Sequence, residues 1–173
     1  MPLPRPPLAA LPLLVLVVAA SSGCGAAPRP RGPNAEDLLD ITEGRALELI
    51  AEVAADSGTG LEADWRIDVG EEEPFSVDVR LAATSFGIEW VSPQDRADFG
   101  ELLPAPNARQ LQVMPGAGDD GETQVLIVDH TNYRYDPDLE RVQRGSRGAR
   151  EAEASVRNYL RDYLEYVRGQ GAI

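Results

Sequence analysis

The one imidazole of the chain, His130, follows Asp129 at the end of an aliphatic stretch that predicts a buried strand. An Asp–His pair at a strand end has the composition of a general base, because the ring can accept a proton. Successive residues of a strand point to opposite faces, so Asp129 is not expected to orient His130. A surface or hydrogen-bonded structural histidine is the favoured interpretation. Catalysis by His130 with a carboxylate from elsewhere in the chain is the alternative.

Tyr133 and Tyr135 lie two residues apart in TNYRY, which either continues the aliphatic strand or forms a further edge strand. Side chains two apart share one face of a strand, so the two rings are able to line a groove. Rings that cover a sheet edge are the alternative interpretation. His130, Tyr133 and Tyr135 are therefore candidate binding residues, and the sequence assigns no catalytic residue.

Metal and cofactor chemistry finds little support in the sequence. Asp136, Asp138 and Glu140 have the spacing of alternate calcium ligands, but the glycine and the glutamate that complete an EF-hand loop are missing. One histidine and one cysteine are too few for the usual zinc sites, and the absence of lysine excludes a P-loop or a Schiff base. The sequence therefore predicts neither a metal nor a cofactor.

The charge of the chain restricts its partners. A net charge of −13 leaves no basic face to neutralise phosphates, so a nucleic-acid partner is excluded as an expectation. All 16 basic residues are arginine.

The front of the chain carries the strongest signal. Residues 8–20 are 13 uncharged, almost wholly apolar positions, too few to span a bilayer and typical of the apolar region of a secretory signal. The only cysteine of the chain, Cys24, follows directly behind Ser21, Ser22 and Gly23. This arrangement resembles the lipobox of bacterial lipoproteins, although Ser21 stands where that family usually has an aliphatic residue. Ordinary signal cleavage, leaving a secreted protein with a free thiol, is the alternative.

The resemblance implies that the Cys24 thiol receives a diacylglycerol and becomes the first residue of the mature protein. Residues 25–34 are rich in proline and arginine and would hold the folded part about 30 Å from the lipid. Gly25 is not the aspartate that favours inner-membrane retention in enteric lipoproteins, which points to the outer membrane, facing the periplasm. The predicted organisation is a signal peptide over 1–23, a lipidated cysteine and tether over 24–34, and one domain over 35–173.

The pattern of apolar residues predicts the fold of that domain. Helical spacing predicts an N-terminal helix over 35–56, with a second cap at Asp40 and a kink or break near it as the alternative. It also predicts a C-terminal helix around Tyr159 and Tyr163, with Tyr166 off the apolar stripe. Period-two alternation predicts two hairpin strands after residue 60, each with one buried and one wet face. Further strands are expected over 86–91, around Leu111 and over 123–129. The order predicts an α+β domain, with an antiparallel or mixed sheet of about five strands and both helices packed on one face.

These observations favour a lipid-anchored protein of the cell envelope. Its expected partners are the membrane, through Cys24, and possible envelope proteins. The absence of catalytic motifs favours a non-catalytic protein-binding or accessory module. Two alternatives stay open: a secreted or anchored hydrolase that uses His130 with a distant carboxylate, and a periplasmic small-ligand carrier with an apolar cavity between sheet and helices.

Overall fold

The computed structural model describes residues 35–70, 74–137 and 147–173. The signal-like segment, Cys24, the tether, Asp138 and Glu140 lie outside the described residues. The helices and strands, in chain order, are α1 (Glu43–Asp56), β1 (Leu61–Ile67), β2 (Phe75–Leu81), β3 (Phe86–Val91), α2 (Pro93–Asp98), β4 (Val113–Pro115), β5 (Gln124–Asp129) and α3 (Ala149–Gly169). Short 3-10 helices cover Ala35–Asp37, Gly118–Asp120 and His130–Tyr133.

The five strands form one mixed sheet with the order β1-β2-β3-β5-β4. The central pair, β3 and β5, is parallel along six positions, from Phe86↔Gln124 to Val91↔Asp129, and every other neighbouring pair is antiparallel. A parallel pair is buried on both faces, which explains the unbroken apolar centre of β5. The predicted mixed sheet of about five strands is confirmed.

Helices α1 and α3 pack side by side on one face of the sheet. The Arg45 guanidinium lies 2.9 Å from Glu153 near the start of both helices, and Arg168 donates to Ser57 O near their ends, so the helices run parallel. Their apolar stripes and the sheet form the helix-side core, which contains the buried residues Ala46, Leu49, Ile50, Val53, Leu81, Ile88, Trp90, Leu126, Val128, Val156, Leu160, Tyr163 and Leu164. The predicted α+β fold, with both helices on one face, is confirmed.

The opposite face of the sheet has a smaller core, the α2-side core. It contains Ile67, Phe75, Val77, Val91, Leu103, Met114, Val125 and Ile127. Neighbouring residues of β5 alternate between the two cores, as the pleat of a strand requires. Helix α2 and the segment after it lie over this face, where Phe99 packs edge-on against Phe75 with ring centroids 5.5 Å apart.

Two predicted elements differ in the structure. The N-terminal helix begins at Glu43, and its cap is the Thr42 hydroxyl, which accepts a hydrogen bond from Arg45 N. A hydroxyl just before the first helical turn accepts a hydrogen bond from an amide that has no partner within the helix, and this fixes where the helix begins. The TNYRY segment is not a strand, because the Asp129 carboxylate accepts from Thr131 N at 2.9 Å and starts a 3-10 turn.

The tyrosines of α3 are held by hydrogen bonds as well as by packing. Tyr159 and Tyr163 are buried, as predicted, and the Tyr163 hydroxyl lies 2.9 Å from Gly87 O and 3.1 Å from Gln124 O. Tyr166 is half-buried rather than exposed, since its hydroxyl donates to Gln124 Oε1 at 2.7 Å. These hydroxyls fix α3 to the beginning of the parallel strand pair.

Candidate functional site

His130 is a buried, hydrogen-bonded residue at the end of β5. Its Nδ1 lies 3.0 Å from Val91 O, and because a carbonyl oxygen only accepts, Nδ1 carries the proton and Nε2 is the acceptor. The distance from Nδ1 to Asp129 Oδ1 is 3.9 Å, which is beyond hydrogen-bond range. The hydrogen bond from the imidazole ring therefore links the end of β5 to the end of β3, and Asp129 does not orient the ring.

Asp129 is fully engaged by other partners. Its carboxylate is completely buried, accepts from Arg96 Nε at 3.0 Å, and also binds Arg96 Nη2 and the Thr131 hydroxyl. Burial raises the pKa of Asp129, but the hydrogen bonds from Thr131 and Arg96 outweigh it and hold the pKa below its usual range. Arg96 also donates to Pro104 O at 3.0 Å, so this buried charge pair ties α2 and the following loop to the sheet.

The two candidate tyrosines lie in different environments. Tyr133 is 2 % exposed, with its ring between those of Trp90 and Tyr159 at centroid distances of 6.0 and 6.2 Å. Tyr135 is half-buried, and its backbone pairs with Leu39. It borders a cavity of about 100 Å³ whose lining also includes Asp40, Ile41, Thr42, Arg45, Ala149 and Glu153. The structure thus places His130, Tyr133 and Tyr135 separately and does not bring them into one groove.

An irregularity in the β1–β2 hairpin leads to a second group of polar residues. Both strands change face halfway along. In β2, Phe75 and Val77 belong to the α2-side core, whereas Val79 and Leu81 belong to the helix-side core. These four residues alternate in sequence and would share one face of a regular strand. The shared face predicted for Trp65, Ile67 and Val69 is confirmed, since all three pack in the α2-side core. The prediction of one buried face is wrong for β2, where the exchange occurs at Asp78.

At the position where β2 changes face, its backbone pairing with β3 ends. The two strands pair at Val79↔Ile88 and Arg80↔Gly87. Beyond these pairs, two carboxyl groups take the place of ladder hydrogen bonds. Asp78 N donates to Glu89 Oε2 at 2.8 Å, and Trp90 N donates to Asp78 Oδ2 at 2.7 Å. A carboxyl group of each strand thus accepts a hydrogen bond from a backbone amide of the other strand. The two amides would otherwise have no partner where the pairing of β2 with β3 stops.

The electrostatics of this carboxyl pair are unusual. Glu89 is only 5 % exposed and Asp78 is half-buried. Burial, with the negative charge of Asp78, raises the pKa of Glu89 to about 9, and burial raises the pKa of Asp78 to about 6. Glu43 at the start of α1 and Asp95 in α2 add further negative charge to both groups. At neutral pH the pair therefore holds one proton, chiefly on Glu89.

Two arginines of the neighbouring elements are engaged elsewhere. Arg80 donates to Thr84 O and lies over the Trp65 ring at 5.0 Å, and Arg45 binds Glu153. Across the described part of the chain, neither Asp78 nor Glu89 has an ion pair with an arginine. A proton on Glu89 is consequently what limits repulsion between the two carboxyl groups.

The sequence carried one overlooked signal for this site. Glu89 is the one charged residue of FGIEWV, a segment in which every residue is buried. A carboxyl inside a strand that must be covered on both faces needs a partner or a proton. Asp78 gave no such signal, because it occupies an apparently outward position in an alternating strand.

Comparison of the chain with protein-family models, with curated proteins and with solved structures found no significant match. Over residues 35–70, 74–137 and 147–173, no helix has the length and hydropathy needed to cross a bilayer, and no group of three or more histidine, cysteine, aspartate or glutamate residues has the geometry of a metal site.

Proposed function

We propose that this protein is a lipid-anchored component of the bacterial cell envelope whose α+β domain is a non-catalytic protein-binding or accessory module. One observation carries the proposal. The single cysteine of the chain stands directly behind a 13-residue apolar run and three small residues. Such an apolar run is typical of a secretory signal. By resemblance to the lipoprotein family, Cys24 is the lipidation site and the outer membrane is the proposed location.

The geometry around His130 supports the non-catalytic part of the proposal. A general base needs its proton acceptor within hydrogen-bond reach of a substrate proton, and usually a group that orients the ring. Here the orienting group is Val91 O, and the adjacent carboxylate of Asp129 is committed to Arg96. The hydrolase alternative would have to use Nε2 alone, and no described contact favours it.

The packing between sheet and helices bears on the ligand-carrier alternative. That alternative requires an apolar cavity in this layer. The layer contains the large, fully buried side chains Trp90, Tyr133, Tyr163 and Leu160. One further cleft, of about 300 Å³, lies at the ends of α1 and α3 and is lined by Ser57, Gly58, Thr59, Gly60, Ala82, Arg168, Ala172 and Ile173. Neither observation favours a carrier of apolar ligands.

The anchor is tested by the mass of the mature chain produced in a bacterial host. We expect the N-terminal peptide to begin at Cys24 and to carry a diacylglyceryl thioether, and the protein to enter the detergent phase on partitioning. Cys24→Ser should stay unprocessed or aqueous, whereas the matched variant Ser22→Ala should behave as the wild type. An unmodified Cys24 thiol together with a wholly aqueous protein would contradict the anchor.

The binding role needs a separate experiment. Cross-linking in intact cells, followed by purification from solubilised envelopes, should recover one protein in constant ratio to the chain, and recovery should drop in Cys24→Ser cells. His130→Ala should leave this recovery unchanged if the variant stays folded. Turnover on a hydrolase substrate panel that disappears in His130→Ala, with no specific cross-linked protein, would replace the binding role by the enzymatic alternative.

A further inference from the structure

The hydrogen bonds between β2 and β3 differ in kind along their length. Near the turn, backbone groups pair at Val79↔Ile88 and Arg80↔Gly87. Further along, the only described bonds across the gap run from two amides to the carboxyl groups of Asp78 and Glu89. Beyond the two backbone pairs, the hydrogen bonding of the β1–β2 hairpin to β3 therefore depends on two side chains that can change charge.

We propose that Asp78 and Glu89 form a proton-operated latch, in which a single proton carried by the pair allows β2 to stay against β3 and loss of that proton loosens the β1–β2 hairpin from the sheet. The proposal goes beyond the proposed envelope function and does not depend on it. Glu89 is buried, Asp78 is half-buried, and the negative charge of Asp78 acts on Glu89. If both groups were ionised they would repel, and the burial of Glu89 would make this repulsion stronger than it would be in water. A proton on one of them removes the repulsion.

The surroundings of the latch reinforce this behaviour. The charges of other elements that act on both carboxyl groups are those of Glu43 in α1 and Asp95 in α2, and β1 carries the exposed Glu62, Asp64 and Arg66. Asp95 is itself committed to the amide and hydroxyl of Ser92, which it holds at 2.8 and 2.6 Å. Most of these charges are negative, so they oppose full ionisation of the pair. On β2 itself, Arg80 turns away from the pair toward Thr84 O and the Trp65 ring.

Loosening has a defined structural consequence. Trp65 packs on Gly87 of β3, where an added Cβ would lie 2.6 Å from its ring. Phe75 and Val77 belong to the α2-side core. Separation of the hairpin would expose these apolar side chains and the free edge of β3. A latch that opens as the pH rises would therefore present an unpaired strand edge and an apolar surface above neutral pH.

Amide hydrogen exchange of the whole chain in a non-ionic detergent micelle tests the proposal. The reporters are the amides of Asp78 and Trp90, which donate into the latch, and the reference is the amide of Ile127 in β5, which donates to Gln112 O at 2.8 Å. Release of one proton on opening predicts that reporter protection factors fall about tenfold per pH unit between pH 6 and 8.5. At every pH in this range, we expect the amides of Asp78 and Trp90 to have lower protection factors than the amide of Ile127.

Matched variants separate the latch from a general effect of pH. Glu89→Gln keeps an acceptor for Asp78 N without a charge, so its reporter protection should not change over this range. Glu101→Gln removes an exposed carboxylate outside the latch and should retain the wild-type slope. A wild type with constant reporter protection would overturn the proposal, as would reporters that exchange no faster than Ile127, or a Glu89→Gln variant that retains the wild-type slope.

Direct titration covers the case in which Glu89→Gln does not fold. Carbon-13 labelling of the carboxyl groups reports the protonation of Glu89 in the wild type. We expect the Glu89 resonance to remain that of a protonated carboxyl at pH 7, and Asp78→Asn to lower the pH at which it titrates. A Glu89 resonance that titrates like a solvent-exposed glutamate would overturn the latch, whatever the behaviour of the variants.

Discussion

Asp64 of β1 and Asp78 of β2 stand opposite each other at the one unpaired position of a ladder that runs from Leu61↔Leu81 to Ile67↔Phe75. Asp64 has a φ of 56°, the left-handed region, inside a strand. Both strands change face at this point, which allows one hairpin to cover parts of both cores. The register is the same on either side, because the irregularity is present in both strands. The bend also directs Asp78 toward Glu89.

The backbone of Asp64 provides the first prediction. A side chain in the left-handed region costs about 1 kcal/mol, less for aspartate than for a branched residue, and glycine does not have this cost. Asp64→Gly should therefore leave the free energy of unfolding unchanged or raise it by up to about 1 kcal/mol, and Asp64→Val should lower it by about 1–2 kcal/mol. Urea unfolding measures both. Ala63→Gly, one residue away at a regular position, should be destabilising.

Equal losses for Asp64→Gly and Ala63→Gly would contradict the left-handed conformation at this position. They would indicate that β1 continues as a regular strand through Asp64. The face exchange of the hairpin would then need a different explanation.

A second prediction concerns the close approach of Trp65 to β3. A Cβ at Gly87 would lie 2.6 and 3.0 Å from ring atoms of Trp65 and 3.1 Å from Val77. Gly87→Ala should therefore lower the free energy of unfolding by about 1–3 kcal/mol, because the Trp65 ring must move away from position 87. Gly44→Ala is the matched control, since nothing lies within 4 Å of its added Cβ and Gly44 is in a helix. It should stabilise by up to about 1 kcal/mol.

The two glycine variants need equilibrium unfolding and a fluorescence spectrum. Trp65 is half-buried, so its displacement in Gly87→Ala should also shift the emission to longer wavelength. A Gly87→Ala protein as stable as the wild type would show that the hairpin does not lie against β3 at this point.

The sequence predicted the parts of the fold that follow from periodicity. The apolar stripe of α3 and the unbroken aliphatic centre of β5 each admit one interpretation, and both were confirmed. The hairpin was harder, because alternation along β2 continues through Asp78 while the backbone exchanges faces there. The alternation of apolar and polar residues depends on the order of side chains along the chain, and a local change in φ leaves no trace in it. The start of α1 was missed for a similar reason: the Thr42 cap is a local hydrogen bond inside a longer apolar pattern.

The candidate site was harder to predict from the sequence than the fold was. Asp78 and Glu89 are 11 residues apart and are brought together as the positions that follow the pair Val79↔Ile88, and their carboxyl groups reach backbone amides of the opposite strand because the ladder stops there. Asp129 and His130 are adjacent in the sequence, but β5 ends between them and their side chains bind different partners. The three-dimensional partners, Arg96 for Asp129 and Val91 O for His130, come from other elements. Such partners are fixed by topology, which the residue pattern did not specify.

Removal of Arg96 gives the third prediction. Its guanidinium neutralises the fully buried Asp129 and donates to Pro104 O. Arg96→Met keeps much of the side-chain volume but leaves a buried carboxylate without its cation, which should cost about 3–5 kcal/mol of stability. Arg96→Lys should cost less but remain destabilising, because an ammonium cannot reproduce the guanidinium geometry. Arg161→Met, at an exposed position of α3, is the matched control and should change stability by less than about 0.5 kcal/mol.

Acid titration distinguishes a lost charge pair from lost packing in Arg96→Met. The pKa of Asp129 is held below its usual range, so this carboxylate contributes stability that is lost as the pH falls through the folded-state value. The difference in stability between wild type and Arg96→Met should therefore shrink toward pH 3. A difference independent of pH would assign the loss to packing alone.

The fourth prediction is the pH dependence of global stability above neutrality. Glu89 has a pKa raised to about 9 in the folded protein, above the value of 4.5 for an unperturbed glutamate. Its contribution is fully present below about pH 4.5 and is lost as the pH rises toward 9, because the folded state then holds a proton that the unfolded state has released. The free energy of unfolding should fall by about 1.4 kcal/mol per pH unit between pH 6 and 9. Asp78, with a pKa raised to about 6, adds to the slope only at lower pH.

Urea unfolding at half-unit steps of pH measures this slope, and Glu89→Gln isolates its origin. The variant has no proton to release at this position, so its stability curve should be flat between pH 6 and 9. It should be less stable than the wild type at pH 6 and approach or exceed it at pH 9, because ionisation penalises only the wild type. Curves that stay parallel over this range would show that Glu89 is already ionised in the folded protein.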